Sequence, residues 1–158
     1  MPGWTVRPGQ PRDADTLVRF NRDMAWETER RALEPERLAP GVAAALQDPA
    51  KALYWVADAH GEVIGQLMVT LEWSDWRNGW FWWLQSVYVK PEWRGRGVFR
   101  SLAHAVESEA RARADVCGLR LYMEPHNDPA RAAYSRLGWS RAGYEVLEKD
   151  FTRSQAAP

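Results

Sequence analysis

The amino-acid sequence predicts an α/β fold in which a mixed, mostly antiparallel twisted sheet is flanked by about four helices. An aromatic and β-branched run at 81–89 has the character of a buried strand. A glycine-rich turn follows it, and apolar residues then recur at helical spacing from Val98. Shorter apolar runs on both sides, separated by turn residues, complete the order β-α-α-β-β-β-α-β-α-β.

The first half of the chain is expected to supply three strands and two helices. Leu17, Phe20 and Met24 share one face of the first helix, and His60-Gly61 marks a hairpin turn. The predicted elements are a strand at 4–7, a helix at 13–24, a charged and less regular segment at 26–34, a helix at 41–47, and strands at 52–59 and 62–73.

A second hairpin is predicted at Asn78-Gly79, the dipeptide most typical of a two-residue β-turn. Such a turn would place Glu72 opposite Gln85 on the next strand, beside Ser86. Glu72 would then be close to the end of the strand that leads into the glycine-rich turn.

The second half is predicted to contain a long helix from Val98, a strand at 119–124, a short helix, and a last strand at 143–151. Asp128 can cap the short helix at its N-terminus, and Gly138 can end it. No linker or repeat is visible. A single domain over 1–151 is therefore expected, with a frayed tail at 152–158.

The composition excludes several classes of function. The 158 residues carry 21 basic and 21 acidic side chains, so no overall field would recruit nucleic acid or an anionic membrane. The chain lacks an apolar run of membrane-spanning length and a signal pattern, which predicts a cytoplasmic protein. Cys117 is the single cysteine, and the three histidines share no ligand spacing, so no metal site is expected.

The turn at 94–97, Arg-Gly-Arg-Gly, lies between a predicted strand and a predicted helix and has the features of an anion-binding site. The first amides of a helix and its dipole both favour a phosphate at such a position. Arg100 stands where a dinucleotide fingerprint needs its third glycine, and Val98-Phe99 replaces the end of a nucleotide-triphosphate loop. An ordinary strand-to-helix turn remains the alternative.

Two motifs in this order resemble those of the GNAT superfamily of acetyl-coenzyme A-dependent N-acetyltransferases. Residues 94–99 are similar to the family's Arg/Gln-x-x-Gly-x-Gly/Ala loop, although Phe99 replaces the final small residue. Residues 127–139 are similar to its Asn-x-x-Ala-x-x-x-Tyr-x-x-x-Gly-Phe segment. The resemblance covers about 4–151 and implies a sheet of six to seven strands, splayed between strands 4 and 5.

The resemblance also implies acetyl-CoA as co-substrate, with no metal. It assigns Tyr134 as the general acid that protonates the departing thiolate, although a core tyrosine is the alternative. The residues that it implies for acetyl-CoA binding are Val87, Tyr88, Val89, Arg94, Gly95, Arg96, Gly97, Val98, Phe99, Asn127 and Tyr134.

The acceptor amine must lose a proton before it attacks. An alkylamine pKa of about 10.4 makes this cost about 4.6 kcal/mol at neutral pH. Glu72 and Glu27 are the candidate bases, although each could be an ordinary surface acid. Aromatic rings and carboxylates attract cations, so we expect a small or medium cationic amine with an apolar portion. Its predicted binding residues are Trp26, Glu29, Trp73, Asp75 and Trp76.

The sequence therefore predicts an N-acetyltransferase that moves an acetyl group directly to an amine in a ternary complex. Two alternatives remain open: a catalytically silent acyl-CoA-binding or regulatory module, and an acetyltransferase of protein N-termini or lysines. No nucleic-acid or membrane partner is expected, and a homodimer is left open.

Overall fold

The computed structural model describes residues 3–152, and the chain divides between Tyr122 and Met123 into two compact units. The first unit contains β1 (Thr5–Pro8), α1 (Ala14–Glu29), α2 (Pro35–Gln47), β2 (Leu53–Ala59), β3 (Glu62–Ser74), β4 (Gly79–Val89), α3 (Val98–Ala112) and β5 (Val116–Leu121). The second unit contains α4 (Asp128–Arg136). Among the described residues, no helix is both long and apolar enough to cross a membrane.

The sheet follows the order β1-β2-β3-β4-β5. Its first four strands are antiparallel neighbours, whereas β5 runs parallel to β4. The predicted mixed α/β architecture with about four helices is confirmed. The described part of the chain contains five strands rather than six to seven.

The missing strand is the one predicted at 143–151, which forms no ladder in the structure. The apolar residues that suggested a strand there are largely exposed, namely Tyr144 (75%), Val146 (65%) and Leu147 (91%). A strand needs a neighbouring strand whose backbone groups can pair with its own. The apolar pattern at 143–151 gives no information on whether such a neighbour exists. The predicted tail from Thr152 lies almost entirely outside the described residues.

The two faces of the sheet are covered by different helices. Leu17 and Phe20 of α1 pack with Tyr54 and Tyr88 on one face. On the other face, a Cβ added to Gly65 would lie 3.1 Å from the side chain of Val98 in α3. Since successive strand side chains alternate, the even-numbered residues of β3 from 66 to 72 face α1, and the odd-numbered residues face α3.

Several element boundaries differ from those predicted. The first helix continues to Glu29, so Trp26 and Glu27 are helical rather than part of a loop. The second helix begins at Pro35 instead of 41, because proline is well suited to the first helical position. The fifth strand begins and ends three residues earlier than predicted.

The hairpin between β3 and β4 has a four-residue loop, because Ser74 pairs with Gly79. The predicted two-residue turn is therefore wrong. Asn78, the last residue of the loop, has φ +48°, a left-handed conformation that asparagine adopts more readily than most residues. As a result Glu72 faces Phe81 rather than Gln85.

Candidate functional site

The first feature of the candidate site is the separation of β4 from β5. Their pairing ends at Leu84 and Leu121, whereas β4 continues to Val89. The amide of Lys90 donates to the carbonyl of Ile64 at 3.0 Å. Because backbone groups alternate along an antiparallel pair, the N–H and C=O of Val89 point away from β3. The predicted splay between strands 4 and 5 is confirmed.

A β-bulge lies where this separation begins. Two residues of β4, Ser86 and Val87, oppose the single residue Leu67 of β3. Ser86 has φ +50°, in the left-handed region that non-glycine residues rarely adopt. A bulge bends its strand and increases the local twist, and this bulge lies just beyond the point where both β5 and the β4–β5 ladder end.

The glycine-rich loop at 94–97 follows β4 after a short 3₁₀ turn. Gly95 has φ +73° and Gly97 has φ +94°, and no other atom lies within 4 Å of a Cβ built on either residue. The amide of Ser101 donates to the carbonyl of Gly97 at 3.0 Å and makes the first helical hydrogen bond of α3. The amides of the preceding turn lie at the positive end of the helix dipole. This arrangement can bind a phosphate group.

Four of the predicted site residues come together beside the loop. Arg94 donates to Glu27 at 2.8 Å and to the carbonyl of Val89 at 2.8 Å, and its guanidinium lies 5.3 Å from the ring centroid of Tyr88. The Tyr88 hydroxyl donates to Glu27 at 3.4 Å. Burial, together with the neighbouring Glu27 charge, raises the pKa of Tyr88. Glu27 therefore links α1 to β4 and to the loop.

Arg96, the second arginine of the loop, lies over an aromatic ring. Its guanidinium lies 5.3 Å from the ring centroid of Trp93, which packs edge to face against Trp4 at 6.0 Å. Sequence reasoning missed Trp93 and Trp4. The available signal was the aromatic residue immediately before Arg94.

Glu72 lies on an aromatic surface of the sheet, defined here by Phe81, Trp83 and Tyr122 together with Glu72 and Arg120. Arg120 donates to Glu72 at 2.6 Å, and its guanidinium lies 3.6 Å from the Phe81 ring centroid. Trp83 stacks on Tyr122 with 4.4 Å between ring centroids. Sequence reasoning missed Trp83, Arg120 and Tyr122, because their proximity depends on the parallel register of β4 and β5.

The predicted acceptor-binding tryptophans do not share this surface. Trp73 packs edge to face against Trp80 at 5.0 Å. It lies on the α3 face of the sheet, opposite Glu72, because neighbouring strand residues alternate. Trp76 is 86% exposed in the hairpin loop, where Asp75 accepts a hydrogen bond from its amide.

The remaining predicted acceptor residues lie at the end of α1. Trp26 is 54% exposed, and the Arg30 guanidinium lies 5.8 Å from its ring centroid. Glu29 is the exposed last residue of the helix. The structure therefore does not bring these five residues into one cluster, since they occupy the hairpin loop, the α3 face and the end of α1. Their role in acceptor binding stays a prediction.

In the second unit, Asn127 caps α4 by accepting a hydrogen bond from the amide of Ala130 at 3.2 Å. The predicted cap at Asp128 was one residue too late. Gly138 has φ +87° directly after the C-cap, and its amide donates to Ser135 at 3.0 Å. The predicted helix-ending glycine is confirmed.

Tyr134 lies in α4, and its ring packs against Trp139 with 5.8 Å between centroids. Burial raises the pKa of the Tyr134 hydroxyl. The phenol is therefore protonated at neutral pH, as a proton donor must be. No group of three or more potential metal-ligating side chains occurs among residues 3–152.

Comparison with known proteins relates the chain to acetyltransferases. The family model described as "Acetyltransferase (GNAT) family" matches residues 18–139. Mycothiol acetyltransferase of Corynebacterium aurimucosum is 34% identical over 136 residues, which make up 82% of this chain and 43% of that protein. The chain thus spans less than half the length of this relative.

Solved structures show the same relationship. A possible acetyltransferase from Clostridium difficile 630 is 38% identical, with a TM-score of 0.88 over 93% of this chain and 97% of that one. A ribosomal-protein-alanine N-acetyltransferase from Brucella melitensis biovar Abortus 2308 shares the fold alone, at 18% identity and a TM-score of 0.75 over 94% and 99% of the two chains. Because the family match covers most of the chain, the protein belongs to the GNAT family of acetyltransferases.

Proposed function

We propose that the protein is an acetyl-CoA-dependent N-acetyltransferase that moves the acetyl group directly to an amine in a ternary complex. The observation that most directly supports this proposal is that β4 has no β5 partner after Leu84 and then leads into a loop where Gly95 and Gly97 have left-handed backbone conformations. GNAT enzymes use acetyl-CoA as co-substrate. A free strand edge suits the pantetheine amides, and the start of a helix suits the pyrophosphate.

In this proposal, the backbone of Val87 and the amide of Val89 pair with pantetheine, and the amides of the loop and first turn of α3 hold the pyrophosphate. Hydrogen bonds to charged groups contribute about 1.5–3 kcal/mol each. Several of them account for the roughly 8 kcal/mol that micromolar affinity requires. Phe99 contributes its backbone amide here, so its ring does not exclude this role. The Asn127 oxygen caps α4, which leaves its amide nitrogen for the pantetheine arm.

The chemistry forms one bond and breaks another. The neutral amine attacks the thioester carbonyl, a carbon–nitrogen bond forms, and the carbon–sulfur bond breaks as the thiolate leaves. Tyr134 gives its proton to that thiolate. A phenol with a raised pKa is a weaker acid than a thiol in water, so this transfer requires a thiolate that is poorly solvated. The amine's proton passes to a base.

Glu72 and Glu27 each accept a hydrogen bond from an arginine, Arg120 and Arg94 respectively. Their positions in the fold differ, and we propose a different role for each. Glu72 lies opposite Phe81, five residues or roughly 16 Å before Ser86 along β4. We therefore propose that the proton reaches it through a chain of several waters rather than directly. Glu27 accepts hydrogen bonds from Arg94 and Tyr88. Its proposed role is therefore to hold the glycine-rich loop against α1 rather than to remove the proton.

The proposed acceptor is a small or medium cationic amine with an apolar portion. The aromatic surface supports this choice, since it places Phe81, Trp83 and the 56% exposed ring of Tyr122 beside the Glu72 carboxylate. Aromatic faces attract cations by about 0.5–2 kcal/mol. The acceptor used by mycothiol acetyltransferase is a second candidate, because that relative is 34% identical to this chain.

The test combines calorimetry with a thiol-release assay. Acetyl-CoA should bind with micromolar affinity, and free thiol should appear with at least one amine from a panel of polyamines, amino acids, aminoglycosides, peptides and the mycothiol acetyltransferase acceptor. Binding without thiol release from any acceptor would favour the silent module. Release with peptides alone would favour a protein acetyltransferase, and failure to bind acetyl-CoA would refute the proposal.

A further inference from the structure

A buried glutamine lies behind the β4 bulge. Gln66 of β3 is fully buried, at 0% exposure. Its side-chain nitrogen donates to the carbonyl of Ser86 at 2.9 Å and to the Asn21 oxygen at 3.3 Å. A bulge takes backbone groups out of the regular ladder. Gln66 thus gives the bulge carbonyl a donor from a side chain.

This contact continues into α1. The Asn21 nitrogen donates to the carbonyl of Leu17 at 2.9 Å, and the Tyr54 hydroxyl is hydrogen-bonded to Asn21. Asn21 is itself buried, at 6% exposure. Two buried amides therefore connect the bulge carbonyl of Ser86 to the buried face of α1.

A glutamine side chain at this buried position is unfavourable for the free energy of folding. Burial of an amide costs free energy unless its groups are hydrogen-bonded. The side-chain oxygen of Gln66 has no hydrogen-bond partner within residues 3–152. An apolar side chain would fill the same space without that cost. The amide is therefore best explained by the bond that its nitrogen makes to Ser86.

That bond opposes a local strain. Ser86 has φ +50°, and a non-glycine residue is disfavoured in this left-handed region because its Cβ approaches the following carbonyl oxygen. Without a donor at its carbonyl, the backbone would gain by returning to the extended region. Regular pairing with β3 would then extend through Ser86 and Val87, and the backbone groups beyond the bulge would change direction.

We propose that Gln66 is a positioning residue for acyl-CoA: its amide holds the Ser86 carbonyl, keeps the bulge, and so presents the backbone of Val87 and the amide of Val89 to pantetheine. This inference rests on the proposed function, because it concerns the same strand edge. Gln66 itself touches neither the thioester nor the acceptor in this scheme.

The test compares Gln66→Met, which conserves volume and removes the donor, with the double variant Gln66→Met/Ser86→Gly. Gln66→Met should weaken acetyl-CoA binding in calorimetry by about tenfold, the equivalent of one net hydrogen bond. Glycine adopts φ +50° without strain, so Ser86→Gly in that background should recover most of the lost affinity. Recovery is a result that a merely structural role of Gln66 would not give.

Val69→Ala is the matched control, because Val69 is fully buried on the α3 face of the same strand. It should lower the melting temperature without changing acetyl-CoA affinity. Wild-type affinity in Gln66→Met would overturn the inference, as would a double variant with no recovery. These outcomes differ from failure of the proposed function, in which the wild-type protein itself would not bind acetyl-CoA.

Discussion

Replacement of Gly97 by glutamate tests the glycine-rich loop most directly. Gly97 has φ +94° and open space around the position of a Cβ, so the first atom of a new side chain meets no clash. The left-handed backbone costs a non-glycine residue about 1–2 kcal/mol. The added carboxylate would lie near the bound pyrophosphate. At about 5 Å and an effective dielectric constant of about 20, each pair of charges repels by about 3 kcal/mol.

The expected result is loss of acetyl-CoA affinity by at least about 10²-fold, since 1.4 kcal/mol corresponds to a factor of ten. Calorimetric titration measures this loss, and thermal unfolding measures the separate cost of backbone strain. Gly97→Gln has the same shape without the charge, so it should bind more tightly than Gly97→Glu. The difference between the two variants isolates the electrostatic contribution.

Gly61→Glu is the matched control for strain. Gly61 has φ +91° and the same open surroundings, but it lies in the turn between β2 and β3. It should lose similar stability and retain affinity close to that of the wild type. Unchanged acetyl-CoA affinity in Gly97→Glu would refute the assignment of the loop to the pyrophosphate. Equal loss of affinity in both variants would show that global strain, rather than local repulsion, weakens binding.

Four further experiments, with five substitutions in all, probe the remaining assignments and one buried ion pair. Tyr134→Phe should lower kcat by about 10²-fold or more with little change in acetyl-CoA affinity; equal loss of stability and activity would support a core tyrosine instead. Glu72→Gln should lower kcat mainly at lower pH, where the amine is hardest to deprotonate, and a pH-independent kcat ratio would contradict its role as base. Glu27→Gln and Arg94→Gln should be non-additive in a double-mutant cycle on acetyl-CoA affinity, whereas additivity would contradict the loop-holding role of Glu27. Asp13→Asn should cost about 3 kcal/mol of unfolding free energy at pH 7. Burial raises the pKa of the Asp13 carboxyl. The Arg7 guanidinium and the Gln10 amide, which both donate hydrogen bonds to this carboxylate, outweigh burial and hold the pKa below its usual value. The stabilisation by the Asp13 carboxylate is therefore present above pH about 4 and lost as pH falls further. Chemical denaturation at pH 3 should show a smaller difference in unfolding free energy between the wild type and Asp13→Asn than at pH 7. An equal difference at the two pH values would contradict this linkage.

The parts of the fold that the sequence predicted well are those with strong local patterns. The strand at 81–89, the helix from Val98 and the glycine that ends α4 each carry a signal within a few residues. Periodicity, proline and glycine report on the conformation of their own segment. The glycine-rich loop could therefore be identified without knowledge of any distant contact.

The parts that failed depend on partners elsewhere in the chain. The hairpin register required the true position of the loop, whose centre lies two residues earlier than predicted. That displacement moved the partner of Glu72 by four residues along β4, from Gln85 to Phe81. Arg120 reaches Glu72 only because β5 runs parallel to β4. A local pattern contains no information about either pairing, so the acceptor surface could not be predicted from it.

The distribution of unusual backbone conformations supports the placement of the site. Within residues 3–152, four non-glycine residues have positive φ: Arg30, His60, Asn78 and Ser86. Arg30 ends α1, and His60 and Asn78 lie in hairpin turns, where such conformations relieve tight geometry. Ser86 instead lies inside a strand, where regular pairing would remove the strain. Strain persists only where the surroundings impose it, and it concentrates at functional sites. In our proposal the buried amide of Gln66 imposes the strain here, and the result is the β4 edge beyond Leu84 that β5 leaves unpaired.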